Sequence, residues 1–188
     1  MGWRDAPVLL TVGRLQARKG HDRVIEALPA ILRHVPELRF VIVGNGPDRS
    51  RLESLAQSLD VAHAVEWHVV ADDHQIRTFY QQCDLFILAN RQIGSDVEGF
   101  GMVLLEAAAC GKPTITGTSG GTREAIIDGV TGDLIDANDS QQIVQAVCRM
   151  FDNPRRCESL GRAGRQRVEQ AFDWPILARQ LERALGFS

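Results

Sequence analysis

Two continuous apolar runs open the chain, Val8-Leu9-Leu10-Thr11-Val12 and Arg39-Phe40-Val41-Ile42-Val43. Continuous rather than alternating runs suit strands covered on both faces in a parallel sheet. Between them Val24, Ile25, Leu28, Ile31 and Leu32 recur at helical spacing, and Pro29 removes one amide donor, which predicts a kink. After Gly44-Asn45-Gly46, Pro47 suits a first helical turn, and Leu52, Leu55 and Leu59 continue one face. Residues 65–70 predict a third strand, 73–81 a short helix and 84–88 a fourth strand. A helix over 100–110, ended by Gly111, leads to a strand at 113–115. Residues 124–127 then predict a helical turn and 132–136 a last short strand. From Asp139 onward the pattern is helical, with one stripe of Ile143, Val144, Val147 and Phe151 and another of Leu177, Leu181, Ala184 and Leu185.

Strands alternating with helices predict an α/β fold, a Rossmann-like parallel sheet with right-handed crossovers and helices on both faces. Residues 1–188 read as one domain, since no repeat, low-complexity tract or interdomain linker interrupts them. Composition agrees: 44% hydrophobic and 24% charged residues supply both a core and a soluble surface. The net charge of -3 argues against nucleic acid as a partner. The apolar runs fall short of the ~20 residues of a membrane span. No secretory signal is expected at the start, and Ala6 stands where a myristoylation signal carries Ser or Thr. Cys83, Cys110, Cys148 and Cys157 are widely spaced with no CxxC pair, so buried free thiols in a reducing compartment, the cytoplasm, are expected.

Ligands of an open α/β sheet bind beyond the carboxyl ends of its strands, and four features fall at such ends. Gly13-Arg14 with Lys19-Gly20 follows the first strand. The glycine lets backbone approach a ligand, and the two cations can neutralise a diphosphate, although a solvated basic loop fits equally well. Gly44-Asn45-Gly46-Pro47 breaks the GxGxxG pattern, because Arg49 holds the last position, and reads better as a tight turn. Glu98-Gly99-Phe100-Gly101-Met102 opens a predicted helix that carries Glu106. The glycines leave helix-terminal amides open to an anion, and the two carboxylates can accept hydrogen bonds from diols, so a sugar is a natural ligand. Glu106 falls among Met102, Val103, Leu105 and Ala107–109, where burial would make an idle charge costly. Last, Thr118-Ser119-Gly120-Gly121-Thr122 can line a phosphate or sugar, or serve as a simple loop with a helix cap.

Absences narrow the choice. GxxxxGK[ST], HExxH and GxSxG are missing, and the five histidines are scattered. No Asp-x-Asp pair offers a cation site, so diphosphate charge falls to Arg14, Lys19 and helix amides, with no metal and no cofactor. Taken in order, the motifs resemble the C-terminal domain of retaining GT-B glycosyltransferases of family 4. The likeness runs from Val12-Gly13-Arg14-Leu15 to the helix after Trp174. Its most specific element is Glu98…Glu106 with Ala107 and Gly111-Lys112-Pro113-Thr114-Ile115. The runs Gly94-Ser95-Asp96-Val97-Glu98-Gly99-Phe100-Gly101 and Gly117-Thr118-Ser119-Gly120-Gly121 are most similar to mannosyltransferases acting on phosphatidylinositol.

The resemblance implies that Arg14 and Lys19 bind the diphosphate of a nucleoside diphosphate sugar, that Glu106 holds the ribose and that Glu98 contacts the sugar hydroxyls. It gives Gly13 and the amides of Gly99, Phe100, Gly101 and Met102 to the sugar and phosphates, and the nucleobase to the end of the third strand near His68 and Val70. It implies transfer of a hexose, mannose on the narrower likeness, to a lipid or glycan acceptor with retention. Such enzymes have two facing domains, so the chain reads as the donor-binding half. The N-terminal half, with the acceptor site, a histidine near the reacting centre and any peripheral membrane association, would lie elsewhere in a longer parent. The helix after Trp174 resembles the segment that crosses back to that half, although a plain amphipathic helix docked on this domain fits at least as well. A sugar-nucleotide epimerase and a non-catalytic nucleotide-sugar module remain alternatives; a dinucleotide dehydrogenase is disfavoured by the broken GxGxxG.

Overall fold

The computed structural model describes residues 6–69 and 72–186. Strands β1 (Val8–Val12), β2 (Arg39–Val43), β3 (Val65–His68), β4 (Leu85–Leu88), β5 (Thr114–Gly117) and β6 (Asp133–Ile135) form one sheet in the order β3-β2-β1-β4-β5-β6. Every pairing is parallel, with Val8 opposite Arg39 in β1/β2 and Phe86 opposite Thr114 in β4/β5.

The apolar runs sort themselves by alternation. Leu9, Phe40, Ile42, Leu85 and Ile87 enter one core with helices α1 (His21–His34), α2 (Arg49–Ser58) and α6 (Ser140–Asp152). Val8, Leu10, Val41, Val43, Phe86 and Leu88 enter the other, with α3 (Asp73–Gln82), α4 (Met102–Ala109) and the short α5 (Thr122–Ala125). A strand whose successive side chains face two helical layers must be apolar throughout, which is why no alternation shows in the sequence. The long helix α7 (Pro154–Ala171) joins the layers: Leu160 packs into the first core and Val168 against the second. Local chemistry sets several helix starts. Asp72 accepts the Gln75 amide at 2.8 Å, Asp139 accepts that of Gln141 at 2.9 Å, and Asn153 caps α7 ahead of Pro154. At the β6 edge, buried Asp133 takes Arg149 at 2.8 Å and Arg156 at 2.5 Å, tying α6 and α7 to the sheet.

Five readings change. The helix expected over 100–110 begins at Met102, because Gly101 adopts the left-handed conformation (φ 78) and breaks off helical continuity before it. Strand β3 ends at His68, and α2 starts after Asp48 rather than at Pro47. Of the four free cysteines only Cys83 is buried, with its thiol pushed up to about 12 by that burial; the other three are half-buried. Finally, α8 (Trp174–Ala184) contributes no buried residue: Ile176 and Leu177 are half-buried, while Trp174 is 78% exposed and Leu181 and Leu185 are also open.

Candidate functional site

The order of strands reverses between β1 and β4. The chain leaves β1 towards β2 and leaves β4 towards β5, so their carboxyl-end loops part and leave a crevice. Gly13-Arg14 forms one lip, and residues 89–101 form the other.

A short 3-10 turn, Ala17–Lys19, carries two cations into this crevice. Gly20 ends it in the left-handed region (φ 73) and packs so closely that a Cβ there would sit 1.7 Å from the Ala89 carbonyl oxygen, so only glycine fits. The Arg91 amide donates to the Arg18 carbonyl at 2.9 Å, and the Arg91 guanidinium grips buried Asp22 with two 2.8 Å bonds. The start of α1 is thereby pinned to the end of β4. Lys19 Nζ then reaches Glu98 Oε2 at 2.8 Å, and the Arg18 guanidinium meets the same oxygen. Arg18 Nε also pairs with Asp96 at 3.2 Å. Lys19 runs alongside Gly13, whose missing side chain leaves the space: a Cβ there would lie 3.9 Å from Nζ.

Glu98 is only 7% exposed. Its backbone is held by the loop after β5: the Gly121 amide donates to the carbonyls of Glu98 (3.3 Å) and Gly99 (2.7 Å). A Cβ at Gly120 would stand 1.8 Å from the Glu98 carbonyl oxygen, so the paired glycines serve close backbone approach. Buried Asn90 braces that loop by donating to the Ser119 carbonyl at 2.6 Å and accepting the Thr116 hydroxyl at 2.9 Å. Gly101 is the N-cap of α4 with no side-chain capping bond, Met102 is 55% exposed, and Gly99 is exposed beside them. The Leu104 amide turns back to the Gly101 carbonyl at 2.8 Å, and the first turn of α4 has no capping side chain, an arrangement that suits an anion. Phe100 is an anchor: its ring stands 5.7 Å from that of Phe172.

Glu106 is not embedded. The buried side of α4 is Leu104, Leu105, Ala107 and Ala108, and Glu106, four residues after exposed Met102, lies on the open side. Its Oε2 accepts the Tyr80 hydroxyl at 2.6 Å, beside a groove of about 350 Å³ lined by Asp73, Ile76, Arg77, Tyr80, Glu106 and Cys110. Because α4 begins at Met102, Glu106 is one turn from the helix mouth, about 6 Å along the axis. Arg14 is exposed at the end of β1 with no ion pair among the described residues. Gly44-Asn45-Gly46 is a packing turn: the Leu15 amide donates to the Asn45 carbonyl at 3.0 Å. Val70, expected near the nucleobase, lies outside the described residues.

Arg18, Asp22, Asn90, Arg91 and Tyr80 were not singled out by sequence. Asn90-Arg91 follows a strand, so the strand-end rule could have found it; Tyr80 and Asp22 gave no local signal. His21, directly behind Lys19, is fully buried with both ring nitrogens unbonded, and burial lowers its pKa to about 4 against the pull of Asp22. Among the described residues, no three His, Cys, Asp or Glu side chains gather as a metal would require, and no helix is long and apolar enough to cross a membrane.

Similarity to known proteins gives the family and the fold. The family described as Glycosyl transferases group 1 matches residues 3–167. The GDP-mannose-dependent alpha-(1-6)-phosphatidylinositol monomannoside mannosyltransferase of Mycolicibacterium smegmatis is 37% identical over 187 residues, covering 98% of this chain and 49% of that protein. The chain thus spans about half the length of the curated relatives it matches. Sucrose-phosphate synthase from Thermosynechococcus elongatus superposes with a TM-score of 0.86 at 28% identity, over 96% of this chain and 45% of that one. The C-terminal domain of a group 1 glycosyl transferase from Francisella tularensis shares the fold, with a TM-score of 0.79 at 23% identity over 92% of this chain and 91% of that one. The sheet and its two helical layers are those of one half of a GT-B glycosyltransferase, and the chain belongs to the group 1 glycosyl transferases.

Proposed function

We propose that this chain is the C-terminal, donor-binding half of a retaining, metal-independent glycosyltransferase of family 4, and that its donor is a nucleoside diphosphate hexose. GDP-mannose is the first candidate, since the Mycolicibacterium relative is named for it. The observation that carries the reading is the convergence of Lys19 and Glu98 at the β1/β4 crevice, 2.8 Å apart, beside the uncapped start of α4.

In the free domain Lys19 is neutralised by Glu98. An incoming diphosphate takes its place against the ammonium, with Arg14 on the outer lip and the amides of Gly13 and of the α4 mouth around it. Glu98 then accepts hydrogen bonds from the sugar hydroxyls. Glu106 takes the ribose, and the base packs near the end of β3. As the glycosidic bond to the diphosphate breaks, negative charge grows on the leaving oxygen, and Lys19 and Arg14 stabilise it where water is largely excluded. Glu98, Arg14 and Lys19 are thus the groups closest to the reacting bond. The acceptor, with any membrane contact, belongs to the N-terminal half, and the exposed Trp174 and Leu181 of α8, with Leu185 just after it, give that half an apolar face to cover. The free thiols support a cytoplasmic setting.

Calorimetry with GDP, UDP and ADP without divalent metal tests the reading. One diphosphate should bind, and Lys19→Ala should weaken it about 100-fold, as expected for loss of a charge-assisted contact in a crevice. Binding by none of the three, or equal binding by Lys19→Ala, would overturn it. The chain alone should transfer sugar negligibly; robust transfer would refute the division between halves.

A further inference from the structure

Glu106 faces solvent on a helix surface, where a glutamate ordinarily samples several rotamers. Here one oxygen is tied. The Tyr80 hydroxyl donates to Oε2 at 2.6 Å, from a side chain that is 2% exposed and whose ring stands 5.6 Å from that of Phe86 in β4. The phenol is thus held by the sheet and reaches across from α3 to α4. Among the described residues Oε1 has no protein partner, and Arg77, which lines the same groove, forms no ion pair with Glu106. Burial and the neighbouring carboxylate push the Tyr80 hydroxyl far above the ordinary tyrosine range, so it stays a proton donor at every working pH.

We propose that Tyr80 is the positioning residue of the ribose subsite: by holding one oxygen of Glu106 it aims the other into the groove between α3 and α4, where that oxygen accepts both hydroxyls of a ribose diol. A carboxylate has about four lone-pair sites, so one bond to Tyr80 leaves room for two more. An untethered Glu106 would have to be ordered at the moment of binding, which costs affinity. The proposal rests on the donor reading above and adds to it the residue that makes the carboxylate selective for the ribose diol over dideoxyribose.

The test is calorimetry of the 188-residue chain with GDP, UDP and ADP and their 2′,3′-dideoxy counterparts, on wild type, Tyr80→Phe, Glu106→Gln and the double variant, each checked for folding by circular dichroism. Wild type should favour the ribose form, and Glu106→Gln should remove most of that preference. Tyr80→Phe should cut the ribose/dideoxy ratio about fivefold to tenfold while leaving dideoxy affinity unchanged. It should have no further effect in the Glu106→Gln background. If Glu106→Gln collapses the ratio and Tyr80→Phe does not, or if Tyr80→Phe weakens both nucleotides equally, the proposal falls and the donor reading stands. If Glu106→Gln leaves the ratio intact, or no diphosphate binds, the ribose assignment falls and takes the proposal with it.

Discussion

Glu98 and Glu106 bracket the first turn of α4, yet the molecule holds them by opposite means. Glu98 is 7% exposed and shares one oxygen between Lys19 and Arg18, while Glu106 is open to water and tied only by a neutral phenol. A carboxylate taken out of water must be matched by charge, because an uncompensated one is expensive. One that keeps its hydration needs only to be aimed. The first is thus a stability element as well as the proposed sugar contact, and the second, the proposed ribose contact, adds little to stability.

That contrast orders the expected effects. Glu98→Ala should be the most damaging, since it leaves Lys19 and Arg18 facing each other in a crevice. A loss of about 3 kcal/mol in urea unfolding is expected, at the low end of the range for fully buried pairs because the site is partly wet. A loss under about 1 kcal/mol would show that Glu98 is no more embedded in the fold than Glu106. Acid should act on the same side of the site. His21 lies behind Lys19 with its pKa lowered to about 4, so between its ordinary value of 6.5 and 4 the unfolded chain binds the proton that the folded one refuses. Stability should be complete above pH 6.5 and should fall by about 3 kcal/mol as pH drops to 4. His21→Leu should flatten that part of the profile; an unchanged slope would assign the acid sensitivity elsewhere.

Gly120→Ala should cost about 2 kcal/mol, because a Cβ there meets the Glu98 carbonyl and φ is +71. It should also weaken diphosphate binding, a joint effect that calorimetry alongside thermal unfolding would detect. Glu106→Gln should be the mildest, within about 0.5 kcal/mol of wild type in stability. A larger loss would mean that the Tyr80 bond carries part of the fold and would blur the distinction between the two acids.

The strands were legible because burial on both faces demands unbroken apolar runs, and residues 8–12 and 39–43 match β1 and β2 end for end. The motif residues Lys19, Glu98, Gly120 and Gly121 were legible too, and in the fold the other three meet at Glu98. Glu106 was misjudged by its neighbours: a run of apolar residues on one side of a short helix looks, in one dimension, like an apolar surrounding. The start of α4 was misplaced because one left-handed glycine, not the apolar pattern, ends the preceding loop.

Periodicity and chain order were enough to specify an α/β sheet whose strand ends carry glycines, cations and two acids, because burial is a local demand that each segment writes into its own residues. The pairing of those groups came only with the fold. Asp22 meets Arg91 across 69 positions, Lys19 meets Glu98 around the reversal of strand order, and Tyr80 meets Glu106 from the neighbouring helix. Each of these contacts depends on where parallel crossovers return the chain, and that is a property of packing layers against one another, to which no single segment holds the key.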